Sequence, residues 1–181
     1  MKKRIVSIII FLIFLIGSFT SFYILDFNQH GIAYGQEKVV YTLPYPGLLP
    51  DHPLYLIKAV RDKLMELLTR DHIKKANLYL LFSDKRVNMA MSLTKKGKNK
   101  LATTTFSKGE KYFLKIPNLL ITSKKQGVGA SSEQIDVLKQ SNAKHAELAN
   151  ELLKSAPPDQ IQTIEEILKI NGEIKDQLKK L

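Results

Sequence analysis

The chain's 181 residues are 44% hydrophobic and 25% charged, with 28 Lys and Arg against 17 Asp and Glu, 4 His, and neither Cys nor Trp. This balance suits one globular domain with additions and carries too much apolar residue for a disordered chain. Without cysteine there is no disulfide framework, thiol nucleophile, iron–sulfur cluster or cysteine-based zinc site, so a metal would depend on the histidines and scattered carboxylates.

Lys2, Lys3 and Arg4 precede an uncharged run from Ile5 to Leu25. About 20 helical residues cross the roughly 30 Å hydrocarbon core of a bilayer, so the run is long enough for a membrane anchor. Its densest part, Ile5 to Ile16, also has the length of a signal-peptide core, and Ala33-Tyr34-Gly35 places small residues before a cut ahead of Gln36. Residues 1–35 therefore read as a signal peptide or a membrane anchor. Either way the positive flank holds the N-terminus inside and sends the remainder, beyond about residue 30, to the outer face.

Residues 36–51 form a lead-in whose Pro44, Pro46, Gly47 and Pro50 forbid a regular helix. After it the periodicity becomes helical, which predicts an all-α fold: an antiparallel bundle of about five helices. Helix one is expected from Asp51–Pro53 to about Thr69, with Asp51 or His52 as cap and an inward stripe of Leu54, Ile57, Val60, Leu64, Leu67 and Leu68. Helix two comes after an Asp71 cap and stops at Gly97, its core side carrying Ile73, Leu80, Leu81, Val87, Ala90 and Met91. Helix three runs from about Asn99, with Ala102, Phe106, Gly109, Phe113, Ile116 and Leu120 on one stripe and a kink or break about a turn before Pro117. Residues 52–122 thus make a basic three-helix domain and 123–130 a polar linker. Residues 131–181 make a C-terminal helical hairpin, opened by capping-box spacing at Ser131–Gln134 and reopened at Pro157-Pro158-Asp159.

Charge is uneven along the chain. Residues 52–125 carry a net charge of about +12 and 126–181 about −2. Lys95, Lys96, Lys98 and Lys100 crowd one helix turn and are candidate contacts for an anionic surface, a membrane or an envelope polymer; a solvated surface is the ordinary reading of the same residues. A protein partner is also compatible with exposed helical grooves. Nucleic acid is not an expected partner, since no reader motif is present.

Candidate chemistry is sparse. Asp51-His52 and Asp71-His72 repeat a carboxylate–imidazole pair, but both acids are placed to cap helices and a short turn sends the helix starts to opposite ends, which argues against a metal site. His145, a turn after Asn142, reads as an interfacial histidine with its polar needs met. No phosphate loop, zinc-protease motif or nucleophile elbow occurs, so no catalytic residue, cofactor or metal is assigned. More informative are mid-helix charges: Arg61, Asp62, Asp84, Lys85, Arg86, Lys108 and Glu110. Asp84 falls beside an apolar face, where an unpaired carboxylate is costly, and Arg61 or Lys108 is the expected partner in a pair that fixes helix register.

The lead-in Pro46, Gly47, Pro50, Asp51, Pro53, Leu54 and Tyr55, with Lys58, is succeeded by Ser83-Asp84-Lys85-Arg86 and by Ser107, Lys108, Glu110 and Tyr112. Over about residues 36–115 this pattern resembles an uncharacterised bacterial family of exported or membrane-anchored helical proteins, a domain of unknown function with a Pro-x-x-Pro-Leu-Tyr-x-x-Lys-like lead-in. Gly109 stands where that pattern has alanine. The resemblance implies export, cleavage before Gln36 and an all-helical domain, and it implies no activity. The function expected is therefore a non-enzymatic, extracytoplasmic helical-bundle module of interaction or envelope association. Two other classes stand beside it: an envelope hydrolase with Asp51, Asp62, Glu66, Asp84 and Glu110 in one cleft, and an extracytoplasmic sensor or regulator.

Overall fold

Turn chemistry divides the chain into helices. The computed structural model describes residues 39–181; the leader over 1–35, its cut before Gln36 and the first residues of the lead-in lie outside them. The described helices are α1 (Tyr55–Leu68), α2 (His72–Lys95), α3 (Asn99–Phe113), α4 (Ile116–Lys125), α5 (Ser132–Lys154) and α6 (Pro158–Leu178), and no strand occurs among the described residues.

Asp71 caps α2 by accepting from the Lys74 amide at 2.7 Å, and Ser131 caps α5 by accepting from Gln134 at 3.1 Å. Gly97, at φ +71, ends α2 in a left-handed turn that lets the Lys98 amide reach back to the Leu93 carbonyl at 2.9 Å. The expected helix three is interrupted at Leu114-Lys115, so Pro117 sits in the first turn of α4, where its missing amide hydrogen costs nothing. Helix one departs from expectation at its start. It begins at Tyr55 without a side-chain cap, because Asp51 is drawn to Lys98 and Lys96 at 2.9 and 3.2 Å and His52 Nδ1 accepts from the Leu54 amide instead.

Four helices form a ring: α2 packs on α3, α3 on α6, α6 on α5 and α5 on α2, with α4 laid against α2 and the end of α6. The core has two apolar clusters. One contains Phe82, Phe113, Ile116, Leu120, Leu138 and Ile174; the other contains Val87, Leu93, Phe106, Leu152, Ile164 and Ile167. Side chains of this size contribute roughly 1.5–3 kcal/mol each when fully buried. Along α2 and α5 the first cluster comes before the second, along α3 and α6 after it, so the two pairs of helices run in opposite directions. Between the clusters every helix of the ring turns polar: Asp84 on α2, Glu110 on α3, Ser141, Asn142 and His145 on α5, and Asn171 on α6, all buried.

α1 stands outside this ring. The stripe expected to face inward, Leu54, Ile57, Val60, Leu64, Leu67 and Leu68, is exposed, and the buried residues of α1 are Asp62 and Glu66. The correction has a physical cause: Tyr79 of α2, Tyr112 of α3 and Lys115 of the turn after α3 present hydroxyls and an ammonium to α1, which pair with carboxylates and not with leucines.

Candidate functional site

The polar layer is the chain's main buried constellation. α5 presents His145 with Ser141 and Asn142 one turn earlier, while α2 and α3 bring Asp84 and Glu110 to either side of the imidazole. His145 Nδ1 lies 2.7 Å from Glu110 Oε1 and Nε2 lies 3.0 Å from Asp84 Oδ1. Burial by itself would favour the neutral ring, but the Glu110 charge and hydrogen bonds to Asp84 and Glu110 outweigh it and raise the pKa to about 9. The ring is therefore an imidazolium that donates from both nitrogens. Ser141 Oγ donates to Asp84 Oδ1 at 2.6 Å, and the Tyr41 hydroxyl of the lead-in donates to Asp84 Oδ2. Burial, then the Asp84 charge, pushes the Tyr41 phenol far above its ordinary range, so it stays a donor. Asn142 and Asn171 exchange side-chain-to-carbonyl bonds at 3.1 and 3.0 Å, locking α5 to α6. Phe106 and Phe113 meet the imidazole edge-on, with centroids 6.1 and 5.6 Å away.

A second polar set holds α1. Glu66 accepts from the Tyr79 hydroxyl at 2.9 Å and the Tyr112 hydroxyl at 3.4 Å, and it pairs with Lys63 at 3.1 Å and Lys115 at 3.8 Å. Burial opposes its charge, yet the Lys63 and Tyr79 bonds and the Lys115 field hold its pKa below the usual value. The Arg86 guanidinium stacks 4.4 Å over Tyr112 and 5.5 Å over Phe82, and donates to the Phe82 carbonyl at 3.0 Å. Arg61 and Asp62 pair at 2.7 Å on α1 itself.

The lead-in is a strap pinned along α2. Below Tyr41, Asn88 donates to the Pro44 carbonyl at 2.9 Å, and the Lys58 ammonium donates to the carbonyls of Pro46 and Leu48 at 2.8 and 3.3 Å. Burial lowers the Lys58 pKa to about 8. Gly47 allows this wrap by adopting φ +68 between the two carbonyls. Asp51, held below the ordinary carboxylate range by Lys98 and then Lys96, fastens the strap to the far end of α2. Pro50 is half-buried, whereas Pro53 and Leu54 are exposed before the half-buried Tyr55.

The expected partner of Asp84 is thus corrected: Lys108 is exposed and Arg61 sits on α1 with Asp62, while the cation beside Asp84 is His145 on α5. Lys85 is half-buried beside Asp84 in sequence, on another face of α2. Of the four lysines at the helix turn, Lys96 and Lys98 share Asp51, and Lys95 and Lys100 are exposed. The two Asp-His pairs lie apart, Asp71 at the start of α2 and Asp51 at its end, and among the described residues no group of three or more His, Asp or Glu side chains is arranged so that it could hold a metal ion. Asp51, Asp62, Glu66, Asp84 and Glu110 occupy three separate places and do not share a cleft. The Ser141–Asp84–His145 grouping has triad residue types in the wrong order, since the serine hydroxyl gives its hydrogen to the carboxylate and His145 is 0% exposed. A concavity where the end of α2 meets the turn between α5 and α6 encloses about 10 Å³, room for one water. What the layer does chemically is hold four helices at one register.

The family model described as Domain of unknown function (DUF5667) matches residues 47–180, and so takes in every helix from α1 to α6. The match reaches beyond the resemblance over residues 36–115 to the end of α6, and so takes in the two helices that complete the polar layer and both clusters. No curated protein and no solved structure matches the chain.

Proposed function

The chain belongs to the DUF5667 family, domains of unknown function, and from that premise we propose a non-enzymatic module of the bacterial cell envelope, exported by its N-terminal segment and acting through its surfaces. The observation that carries this reading is the division of labour between inside and outside. The titratable constellation is sealed, with His145, Glu110 and Asp84 at most 1% exposed, whereas aliphatic and cationic side chains are turned outward. Groups so enclosed serve packing, because a substrate has no route to them.

Further support comes from the uncharged Ile5–Leu25 run behind Lys2, Lys3 and Arg4, which directs the downstream chain outward. No helix among the described residues is long and apolar enough to cross a membrane. Anionic lipid or an acidic envelope polymer is the partner chemistry that a net positive domain favours, with Lys95 and Lys100 available beside the Asp51-bound pair. Cell fractionation with N-terminal sequencing tests the reading. Recovery in the envelope fraction, whether the chain starts at Met1 or at Gln36, is the expected result; recovery of an intact chain in the cytoplasm would reject it.

A further inference from the structure

α1 turns an aliphatic face away from its own domain. At 100° per residue, Leu56, Ile57, Val60, Leu64, Leu67 and Leu68 fall within an arc of about 120°. With Leu54 just before the helix, these side chains are between 51% and 78% exposed. No polar residue interrupts the arc. Lys63 borders it on one side and Arg61 on the other, and exposed Arg70 lies just past the end of the helix. The opposite face is the one that docks, through Glu66 on Tyr79, Tyr112 and Lys115, while the backbone of α1 stands off from the other helices.

An ordinary surface helix does the reverse, burying its aliphatic stripe and exposing its charges. An aliphatic strip of this length left in water is unfavourable and marks a surface that something covers. Its make-up indicates what. Protein interfaces are anchored by Trp, Tyr and Arg set in shaped pockets, with Leu and Val under-represented. Here the face is Leu, Ile and Val alone, a surface that acyl chains cover without any shape requirement. Cations at its margins are where headgroup phosphates would lie. The segment that leads from Leu25 to the first described residue, Val39, is short: residues 26–38 extend at most about 45 Å.

We propose that α1 lies in the plane of an anionic bilayer surface, its Leu/Ile/Val face in the acyl-chain boundary and Arg61, Lys63 and Arg70 at headgroup level. The inference rests on the envelope reading above and adds the surface that makes the contact. The bundle then hangs from α1 through Glu66, so the polar face that looked misplaced is the joint between a membrane-seated helix and a water-soluble body.

The chain has no Trp, so one introduced indole is a clean reporter. Full-length Leu67→Trp and, independently, Leu64→Trp would be reconstituted into vesicles of phosphatidylcholine with a minority of phosphatidylglycerol, with and without bromine on the acyl chains. Val128→Trp, in the exposed turn after α4, is the reference. Both α1 reporters are expected to emit to the blue of the reference and to lose roughly half their emission or more to brominated lipid, as an interfacial helix should. Solvent-like emission unaffected by bromine would overturn the proposal. So would blue emission that bromine leaves intact, which means cover by protein, either a second copy or the Ile5–Leu25 run. Fractionation reports separately on export, so quenching of α1 in a chain that cells keep in the cytoplasm would sink the envelope reading and leave the lipid affinity of the face standing.

Discussion

His145 concentrates the fold's electrostatics in one side chain. Its pKa of about 9 in the folded state stands above the unfolded value of roughly 6.5, so folding takes up a proton between those limits. The stabilisation from the imidazolium is complete below pH ~6.5 and is lost as pH rises through about 9, a difference of about 3 kcal/mol as an order of magnitude. Lys58 acts with the opposite sign: burial lowers its pKa to about 8, so from there upward the unfolded chain holds the extra proton and stability rises. The window between pH ~6.5 and 8 isolates the histidine. Urea unfolding across that window is expected to show falling stability in the native chain and a flat profile in His145→Gln. At pH 6 the variant should already be less stable by about 3–5 kcal/mol, since Asp84 and Glu110 are left buried without their cation. A native profile that stays level over the window would contradict the charged-ring assignment. The importance of His145 was only half legible in the sequence. Its interfacial place came from the helical spacing, but its partners sit 61 and 35 residues away, and nothing local names them.

Among the helices, legibility tracked local chemistry. Asp71, Gly97, Ser131 and Pro158 act within a few residues of themselves, and each begins or ends a helix where its backbone preference requires. α1 defeated the same reasoning because an amphipathic stripe tells which side is apolar and not which side is buried; that choice was made elsewhere in the chain, by Tyr79 on α2, Tyr112 on α3 and Lys115 in the turn after it. The polar layer left a trace that could have been read: α2, α3, α5 and α6 each carry a polar break between two apolar stretches. Close approach of α2 and α3 depends on Gly109. A Cβ there would come 3.1 Å from the Ser83 carbonyl oxygen, 3.3 Å from Arg86 Cβ and 3.4 Å from Val87 Cγ2. Ser83 Oγ also donates to the Gly109 carbonyl at 2.9 Å, so the helices cannot part without cost. Alanine gains about 1 kcal/mol of helix propensity, whereas overpacking against backbone costs about 1–3 kcal/mol. Gly109→Ala is therefore expected to be less stable by about 1 kcal/mol in denaturant melts, the difference between those two terms. A gain in stability would mean that α2 yields where the geometry says it is fixed.

For the molecule as a whole, the buried layer is a device of alignment more than of strength. Two apolar clusters that differ little in character would let the helices slide past one another, since leucine packs on leucine in many registers. Setting Asp84, Glu110, His145 and Asn171 at one level removes that freedom, because a shift of one turn would bury each charge against hydrocarbon. Tyr41 extends the same constraint to the strap, tying the lead-in to the level where the four helices agree. Removing one partner and removing all of them should then have opposite consequences. Asp84→Leu alone leaves Glu110 as the one carboxylate beside the imidazolium and takes away the oxygens to which Tyr41 and Ser141 donate, and about 3–5 kcal/mol should be lost. The combined change Asp84→Leu, Glu110→Leu, His145→Leu with Tyr41→Phe takes the buried charges and the phenol away together. It is expected to unfold at a denaturant concentration equal to or above that of the native chain, because desolvating the ionic groups costs at least what their attraction returns. The loss should appear as degeneracy: broadened methyl signals and faster amide exchange where α5 meets α2 and α3, whose mutual register is no longer enforced once these contacts are gone. A combined variant no more stable than Asp84→Leu would show that the layer contributes net stability, and sharp native-like methyl spectra would show that shape alone sets the register.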